Sequence, residues 1–315
     1  MLLKMTKAED GCILRFFLKQ TLKLSARTLA RLKSKENGVL LNGERVTVRA
    51  VLHEGDTLSL AVEDEASNEA VVPRPLPVTM LYEDEVLAVC QKPTDMPTHP
   101  SHGHFEDTLA NALAYRYRDM PFVFRAITRL DRETSGAVLV AKNALSANAL
   151  SLAMKRGEIQ KSYFALIHGE VPPVGRIALP IQRKAGSVML REVSDAGAPA
   201  ATLYRTLASG SGYSLVAVFP KTGRTHQIRL HFASIGHPLC GDALYGREGD
   251  GFARTMLHAA RLGFLHPVSS LPLSVYAPPA CDLTDALARY AIPLPTERDA
   301  VPDEAFLAAL SQNEG

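Results

Sequence analysis

The sequence predicts an α+β protein: a small α/β module followed by a large domain built on a mixed, mainly antiparallel sheet with peripheral helices. Three observations carry that prediction. With 46% of its 315 residues hydrophobic, the chain can bury a sizeable core and has room for one large and one small domain. Residues 63–77, EDEASNEAVVPRPLP, are acidic and then proline-rich, which suits a solvated linker and divides the chain into 1–62 and 78–315. Beyond that linker, strand-like runs recur with helical patterns between only some of them, too irregular an alternation for a doubly wound parallel sheet.

In the first part, Leu14-Arg15-Phe16-Phe17-Leu18 and residues 22–32 carry helical apolar spacing, while 38–42 and 56–61 read as short strands. Asn42-Gly43 supplies the positive φ that a tight hairpin turn needs at its central residues. On the second helix Lys23, Arg27 and Arg31 fall at i, i+4 and i+8, so they project from nearly one face along which phosphates could track. A solvated basic face without a partner is the alternative. Charge is unevenly divided: residues 1–60 hold eleven Lys or Arg against six Asp or Glu, a net +5, which leaves −3 for the rest of a chain of net +2. Such asymmetry suits contact with a polyanion.

In the second part, strands are expected at 80–82, 86–91, 137–142, 163–168 and 213–219, and helices at 108–117, 145–156 and 226–235, the last with Thr225 as its cap and Gly236 as its stop. No internal repeat interrupts this order. No apolar run approaches the roughly 20 residues needed to span a bilayer, and Met1 to Gly11 lacks a secretory apolar stretch, so a cytoplasmic protein is expected. Cys12, Cys90, Cys240 and Cys281 lie far apart without C-x-x-C spacing and read as buried free thiols.

One polar cluster stands out. Arg129-Leu130-Asp131-Arg132-Glu133-Thr134-Ser135-Gly136 immediately precedes the apolar strand Ala137-Val138-Leu139-Val140-Ala141, so a loop carrying Asp131 is fixed by a buried strand. Taken alone, the cluster could equally be a turn whose Asp and Thr bond nearby amides. Two segments change that balance. Gln160-Lys161-Ser162-Tyr163 begins a strand that could present a flat ring and a phenol to the same cleft. Gly223-Arg224-Thr225-His226-Gln227-Ile228-Arg229-Leu230-His231, running on to Gly241-Asp242 and Tyr245-Gly246, concentrates arginines and histidines that are costly to bury without a purpose.

Together these segments resemble the RluA-type RNA pseudouridine synthases, whose signature is an R-L-D-x-x-T-S-G loop, a K-x-Y strand and a G-R-x-H-Q-I-R-x-H helix. Lys92-Pro93 with His99-Pro100 is similar to the family's K-P-x-G-x-x-x-H-P segment, and Leu257-His258-Ala259 to its closing L-H-A strand. Two positions depart from the pattern: Thr128 stands where His is frequent before the triplet, and Asp95 where Gly is frequent after the Lys-Pro pair. Residues 11–61 resemble the RNA-binding domain named after small-subunit ribosomal protein four, through the basic helix, Val39-Leu40-Leu41-Asn42-Gly43 and Gly55-Asp56.

The resemblance implies a reaction and a site. Uridine isomerisation breaks the bond from ribose to the base nitrogen and rejoins the sugar to a ring carbon with nothing gained or lost, so no cofactor and no metal are expected. His99, His102 and His104 read as a polar loop. Asp131 would be the carboxylate beside the anomeric carbon, either forming an adduct or acting as base and electrostatic stabiliser. Arg229 would hold it ionised. Tyr163 would stack on the target base and handle a proton, with Leu257 against the other face. Arg129 would fill the space a flipped base vacates, and Lys161 and Thr134 would contact substrate. Lys23, Arg27 and Arg31 would bind RNA. The expected partner is structured RNA, large-subunit ribosomal RNA ahead of transfer RNA, acted on by a monomer without an obligatory protein partner. A non-catalytic RNA-binding assembly factor is the competing reading. A glycoside hydrolase pairing Asp131 with Glu133 is a weaker third.

Overall fold

The computed structural model describes residues 1–22, 24, 26–61 and 71–312. Strand β1 (Leu2–Lys4) is followed by a helical turn, α1 (Leu14–Phe16), which widens into a π turn over Phe17–Thr21, and by helix α2 (Ala26–Ser34). Strands β2 (Val39–Leu41), β3 (Glu44–Arg45) and β4 (Thr57–Leu60) complete a four-stranded sheet in the order β1-β4-β2-β3. Asn42 and Gly43 both take positive φ, +54° and +86°, the hairpin geometry their sequence predicts. Asp56 fastens that turn, accepting from the Asn42 amide and the His53 backbone, each at 2.8 Å. Leu14, Leu18, Leu32, Leu52 and Leu58 form the core beneath this sheet, and Leu145 from the large domain packs into it. The second helix starts at Ala26, not near residue 22. The expectation for Lys23 lies outside the described residues, as does the side chain of Arg27; Arg31 is exposed.

The described part of the linker is docked on the fold. Residues 62–70 lie outside the described residues, but Asn111 donates to the Val72 carbonyl at 2.8 Å and the Arg74 amide donates to the Asn111 carbonyl at 3.1 Å. Leu76 packs against the buried cluster of Cys90 and Leu109. The proline-rich half is thus docked where a solvated segment was expected, because its apolar residues find a groove beside a helix.

The large domain continues with β5 (Thr79–Glu83), β6 (Leu87–Lys92), α3 (Leu109–Arg116), β7 (Ser135–Ala141), α4 (Ala144–Lys155), β8 (Gln160–His168) and β9 (Val174–Ile177). A small hairpin, β10 (Ile181–Arg183) and β11 (Arg191–Val193), precedes β12 (Thr202–Gly210), β13 (Tyr213–Pro220), α5 (Gln227–Ser234), β14 (Leu257–Leu265), β15 (Pro272–Tyr276), α6 (Cys281–Arg289) and α7 (Glu304–Gln312). Nine strands form one sheet in the order β5-β6-β7-β14-β8-β13-β12-β9, with β15 also on β14. Every pairing in it is antiparallel except β7 with β14, the mixed, mainly antiparallel sheet expected of the α+β class.

Side-chain alternation explains why β7 reads as an unbroken apolar run. Ala137, Leu139 and Ala141 face Leu150 of α4, while Val138 and Val140 face Leu109 and Leu113 of α3. Both faces are covered, so all seven residues are buried. On β8 and β13, Ala165, Ile167, Val216 and Val218 pack against Ile228 and Phe232 of α5, and Phe164, Leu166, Leu215 and Ala217 against Leu283 and Leu287 of α6. Among the described residues no helix is long and apolar enough to cross a membrane. Cys90 and Cys240 are buried thiols as expected, but Cys12 is half-buried and Cys281, in the first turn of α6, is exposed.

Candidate active site

Because β7 and β14 run parallel, their first residues meet at one end of the sheet: Ser135 pairs with His258 and Gly136 with Ala259. On the other flank of β14 the antiparallel β8 sets Ala165 opposite Leu257 and Tyr163 opposite Ala259. The Asp131 loop, Leu257 and Tyr163 therefore converge by strand register. Gly136 is required for that convergence. It has φ +114°, and a Cβ there would lie 2.2 Å from the Ala259 carbonyl oxygen.

A cleft of about 770 Å³ opens at this junction, and Asp131, Arg229, Tyr163, Arg129, Leu257, Lys161 and Thr134 all line it. Residue types spaced over some 130 positions are thus gathered around one space. Its entrance carries the exposed side chains of Arg129, Lys221 and Arg224. The loop itself is held by threonines. Thr98 Oγ1 donates to the Leu130 carbonyl at 3.0 Å and accepts from the Leu130 amide at 3.2 Å. Thr128 Oγ1 accepts from the Leu139 amide at 2.9 Å, so this departure from the family pattern is a buried splint onto β7. Asp95 has φ +57°, the left-handed conformation that explains why glycine serves at that position elsewhere and why Asp is tolerated.

The carboxylate of Asp131 is about one-third exposed and faces Arg229 Nη1 at 3.4 Å and His226 Nε2 at 3.9 Å. Its backbone carbonyl accepts from Thr134 N at 3.1 Å, so the turn is made by main chain and the side chain is left to the cleft. Arg229 is buried, and its stronger bond runs elsewhere. Nε and Nη2 donate to the two oxygens of Asp242 at 2.7 and 2.6 Å. Asp242, in turn, accepts from the Leu244 and Tyr245 amides. Burial would lower the pKa of Arg229, but the Asp242 fork, with Asp131 adding to it, drives it upward. The same fork outweighs burial at Asp242 and keeps it below the usual carboxylate range. Asp242 is the site residue that sequence spacing did not single out as a partner, since thirteen positions and a loop separate it from Arg229.

His226 begins α5 with φ +57° and no capping bond from its side chain. It corrects the expectation that Thr225 caps the helix. The Gln227 side chain instead braces the preceding loop, its Oε1 accepting from the Arg224 amide at 3.0 Å. The imidazole of His226 instead bonds Tyr245 Oη through Nδ1 at 3.0 Å, and burial lowers its pKa against the pull of Asp131. Burial, then the neighbouring Asp131 charge, raises the phenol of Tyr163 well above an ordinary tyrosine. Burial lowers Lys161. Glu133 turns away: Thr255 Oγ1 donates to its carboxylate at 2.6 Å and it is not part of the cleft wall, so the glycosidase pairing with Asp131 has no geometry. His99 packs edge-on to Phe124 with ring centroids 5.0 Å apart, and His104 bonds Asp107 at 2.6 Å. Among the described residues no group of three or more His, Cys, Asp or Glu side chains is arranged to hold a metal ion.

A family model for RNA pseudouridylate synthase matches residues 86–234. The chain is also 36% identical over 264 residues to the uncharacterized RNA pseudouridine synthase YjbO of Bacillus subtilis, covering 83% of this chain and 93% of that one. This chain belongs to the RNA pseudouridine synthase family. It is accordingly an enzyme that converts uridine in RNA to pseudouridine. It is similar as well to ribosomal large subunit pseudouridine synthase D of Xylella fastidiosa, 36% identical over 270 residues and 81% of each chain. Among solved structures it resembles human RNA pseudouridylate synthase domain containing 1, with 26% identity and a TM-score of 0.55, covering 70% of this chain and 97% of that one.

Proposed function

We propose that this synthase isomerises specific uridines in large-subunit ribosomal RNA, with Asp131 as its catalytic carboxylate. The relatives named as large-subunit ribosomal RNA enzymes support the substrate class. The observation that carries the residue assignment is the convergence of Asp131, Tyr163 and Leu257 on one cleft through the β7-β14-β8 register.

In this reading a flipped uridine enters between Tyr163 and Leu257, and flipping costs a few kcal/mol. As the base departs, the anomeric carbon becomes electron-poor and Asp131 meets it, by adduct formation or by electrostatic stabilisation with proton removal. Arg229 favours the ionised carboxylate while Asp242 holds the guanidinium in place. With its pKa raised, Tyr163 enters the reaction as a protonated phenol, a donor before it can be a base. Among the described residues Lys161 forms no salt bridge, and it offers its ammonium to a phosphate or base carbonyl. Arg129 lies at the mouth, able to occupy the gap in the RNA stack. The N-terminal module serves as the RNA-binding domain its sequence resembles, supplying phosphate affinity. Beyond Arg31 it exposes Lys33, Arg45 and Arg49, which with Lys35 line a second hollow of about 480 Å³. We infer a monomer working in the cytoplasm, since one chain supplies every cleft residue.

Incubating the purified protein with total RNA from a strain lacking its gene, then mapping pseudouridines, tests the assignment. Restoration of one or more sites in large-subunit RNA is expected. Restoration only in transfer RNA would replace the substrate, and no new pseudouridine in any RNA would leave a binding factor.

A further inference from the structure

Outside the cleft, a second arginine is buried more completely than its charge alone would permit. Arg254 lies just before β14 with 4% of its surface exposed. Its Nε and Nη2 fork onto Asp282 in the first turn of α6. Its Nη1 points the other way, donating to the carbonyls of Thr255 at 2.7 Å, Glu133 at 3.1 Å and Leu257 at 3.1 Å, and Nη2 also reaches Ser135 Oγ at 3.4 Å. Two of those carbonyls belong to the segments that carry the base slot: Glu133 stands two residues after Asp131 in its loop, with its side chain turned away from the cleft, and Leu257 is the apolar wall. Lys92, also fully buried, donates to the Arg132 carbonyl at 3.1 Å from β6, and Thr255 Oγ1 donates to the Glu133 carboxylate at 2.6 Å, but it is Arg254 that bonds the loop at Glu133 and β14 at Leu257 with one side-chain nitrogen.

We propose that Arg254 is a positioning residue, one guanidinium that sets the distance between the Asp131 loop and the Leu257 wall, with Asp282 orienting it from α6. The geometry is specific to a planar fork. A guanidinium presents five N–H groups in fixed directions, and here they serve a carboxylate on one edge and carbonyls from two chain segments on the other. An ammonium retains the charge and cannot reach both edges. Asp282 matters because a guanidinium without its carboxylate is free to tilt, and tilting moves the Asp131 loop relative to the Leu257 wall. Displacements of about 1 Å cost on the order of 10²-fold in rate when a reacting group must meet a held substrate. The inference rests on the reading that Asp131 reacts in this slot.

Single-turnover release of tritium from a full-length large-subunit ribosomal RNA transcript carrying uridine tritiated at C5 reports each joining of the sugar to that carbon. Its rate constant describes folded enzyme, and its amplitude counts the active fraction. Arg254→Lys is expected to lower the rate constant by about 10²-fold with RNA Kd by filter binding within about twofold, and Asp282→Asn to lower it by about tenfold. A merely structural arginine would lower the amplitude and leave the rate constant within twofold of wild type, which overturns the proposal. A loss of RNA affinity equal to the loss of rate overturns it too. If the lysine variant yields no folded protein, Asp282→Asn decides by the same criteria, because Asp282 is partly exposed. Asp131→Asn run alongside separates the two readings: turnover by that variant removes the Asp131 assignment whatever Arg254 does.

Discussion

The arginines of the N-terminal module and those of the cleft are the same residue type in opposite settings. Arg31, Arg45 and Arg49 stand exposed around α2 and the β2-β3 hairpin, and among the described residues none of the three forms a salt bridge. Arg229 and Arg254 are 5% and 4% exposed, and each forks onto a carboxylate, Asp242 or Asp282. Exposed cations keep their hydration and contribute affinity that salt screens, whatever base they meet. Buried, forked cations contribute little net stability, because desolvation offsets their attraction, but they fix geometry. Under the proposed function, the contrast gives affinity to the first region and rate to the second.

Asp131→Asn should give the largest effect, a loss of single-turnover rate of at least about 10³-fold, since the group proposed to meet the anomeric carbon is removed while the fold around it stays. Asp242→Asn comes next. It leaves Arg229 buried with half its charge-assisted fork gone, so the rate should fall by about 10²-fold and the protein should lose roughly 3 kcal/mol by urea denaturation. A Kd that rose by as large a factor as the rate fell would contradict the division between the regions.

A third, smaller effect is read from pH. His258 on β14 is buried, with Nδ1 on Ser135 Oγ at 2.9 Å and Nε2 on the Ala277 carbonyl at 3.1 Å, and burial, against the pull of that carbonyl, lowers its pKa from 6.5 to about 4. The unfolded chain takes up this proton first as the medium is acidified, so stability is full above about pH 6.5 and falls progressively toward pH 4, by up to roughly 3 kcal/mol. Denaturation at pH 7 and pH 4.5 measures it, and replacing His258 with Gln should flatten this part of the slope. The smallest effect belongs to the module's surface. Changing Arg31, Arg45 and Arg49 to Glu should weaken RNA binding by about tenfold or more, reduce the salt dependence of Kd by up to 3 in log–log slope, and leave the rate at saturating enzyme unchanged.

Much of this arrangement could be read from the residues, for identifiable physical reasons. Strands β6, β7, β8 and β13 are covered on both faces, so burial wrote them as continuous apolar runs, and Asn42-Gly43 announced a turn that only positive φ permits. Strand β12 escaped because it alternates weakly and ends in Ala-Ser-Gly, and β15 because it opens with proline. The short strands β9 to β11 carry too few residues for a period to emerge. At the site, the loop, strand and helix motifs pointed to the cleft residues the sheet register gathers. Asp242 and Asp282 were not legible as partners. Each meets its arginine only after a loop or a β-hairpin closes, over 13 and 28 positions, and no local periodicity encodes such a meeting.

The most direct test reads rate and affinity on one transcript. Wild type, Asp131→Asn and the triple Arg31, Arg45, Arg49→Glu variant are titrated against the same tritiated large-subunit RNA, following tritium release and filter binding together. The account predicts that Asp131→Asn binds within about threefold of wild type and releases no tritium, and that the triple variant binds weakly and, once saturated, reacts at the wild-type rate. Tritium release by Asp131→Asn at the wild-type rate would contradict it.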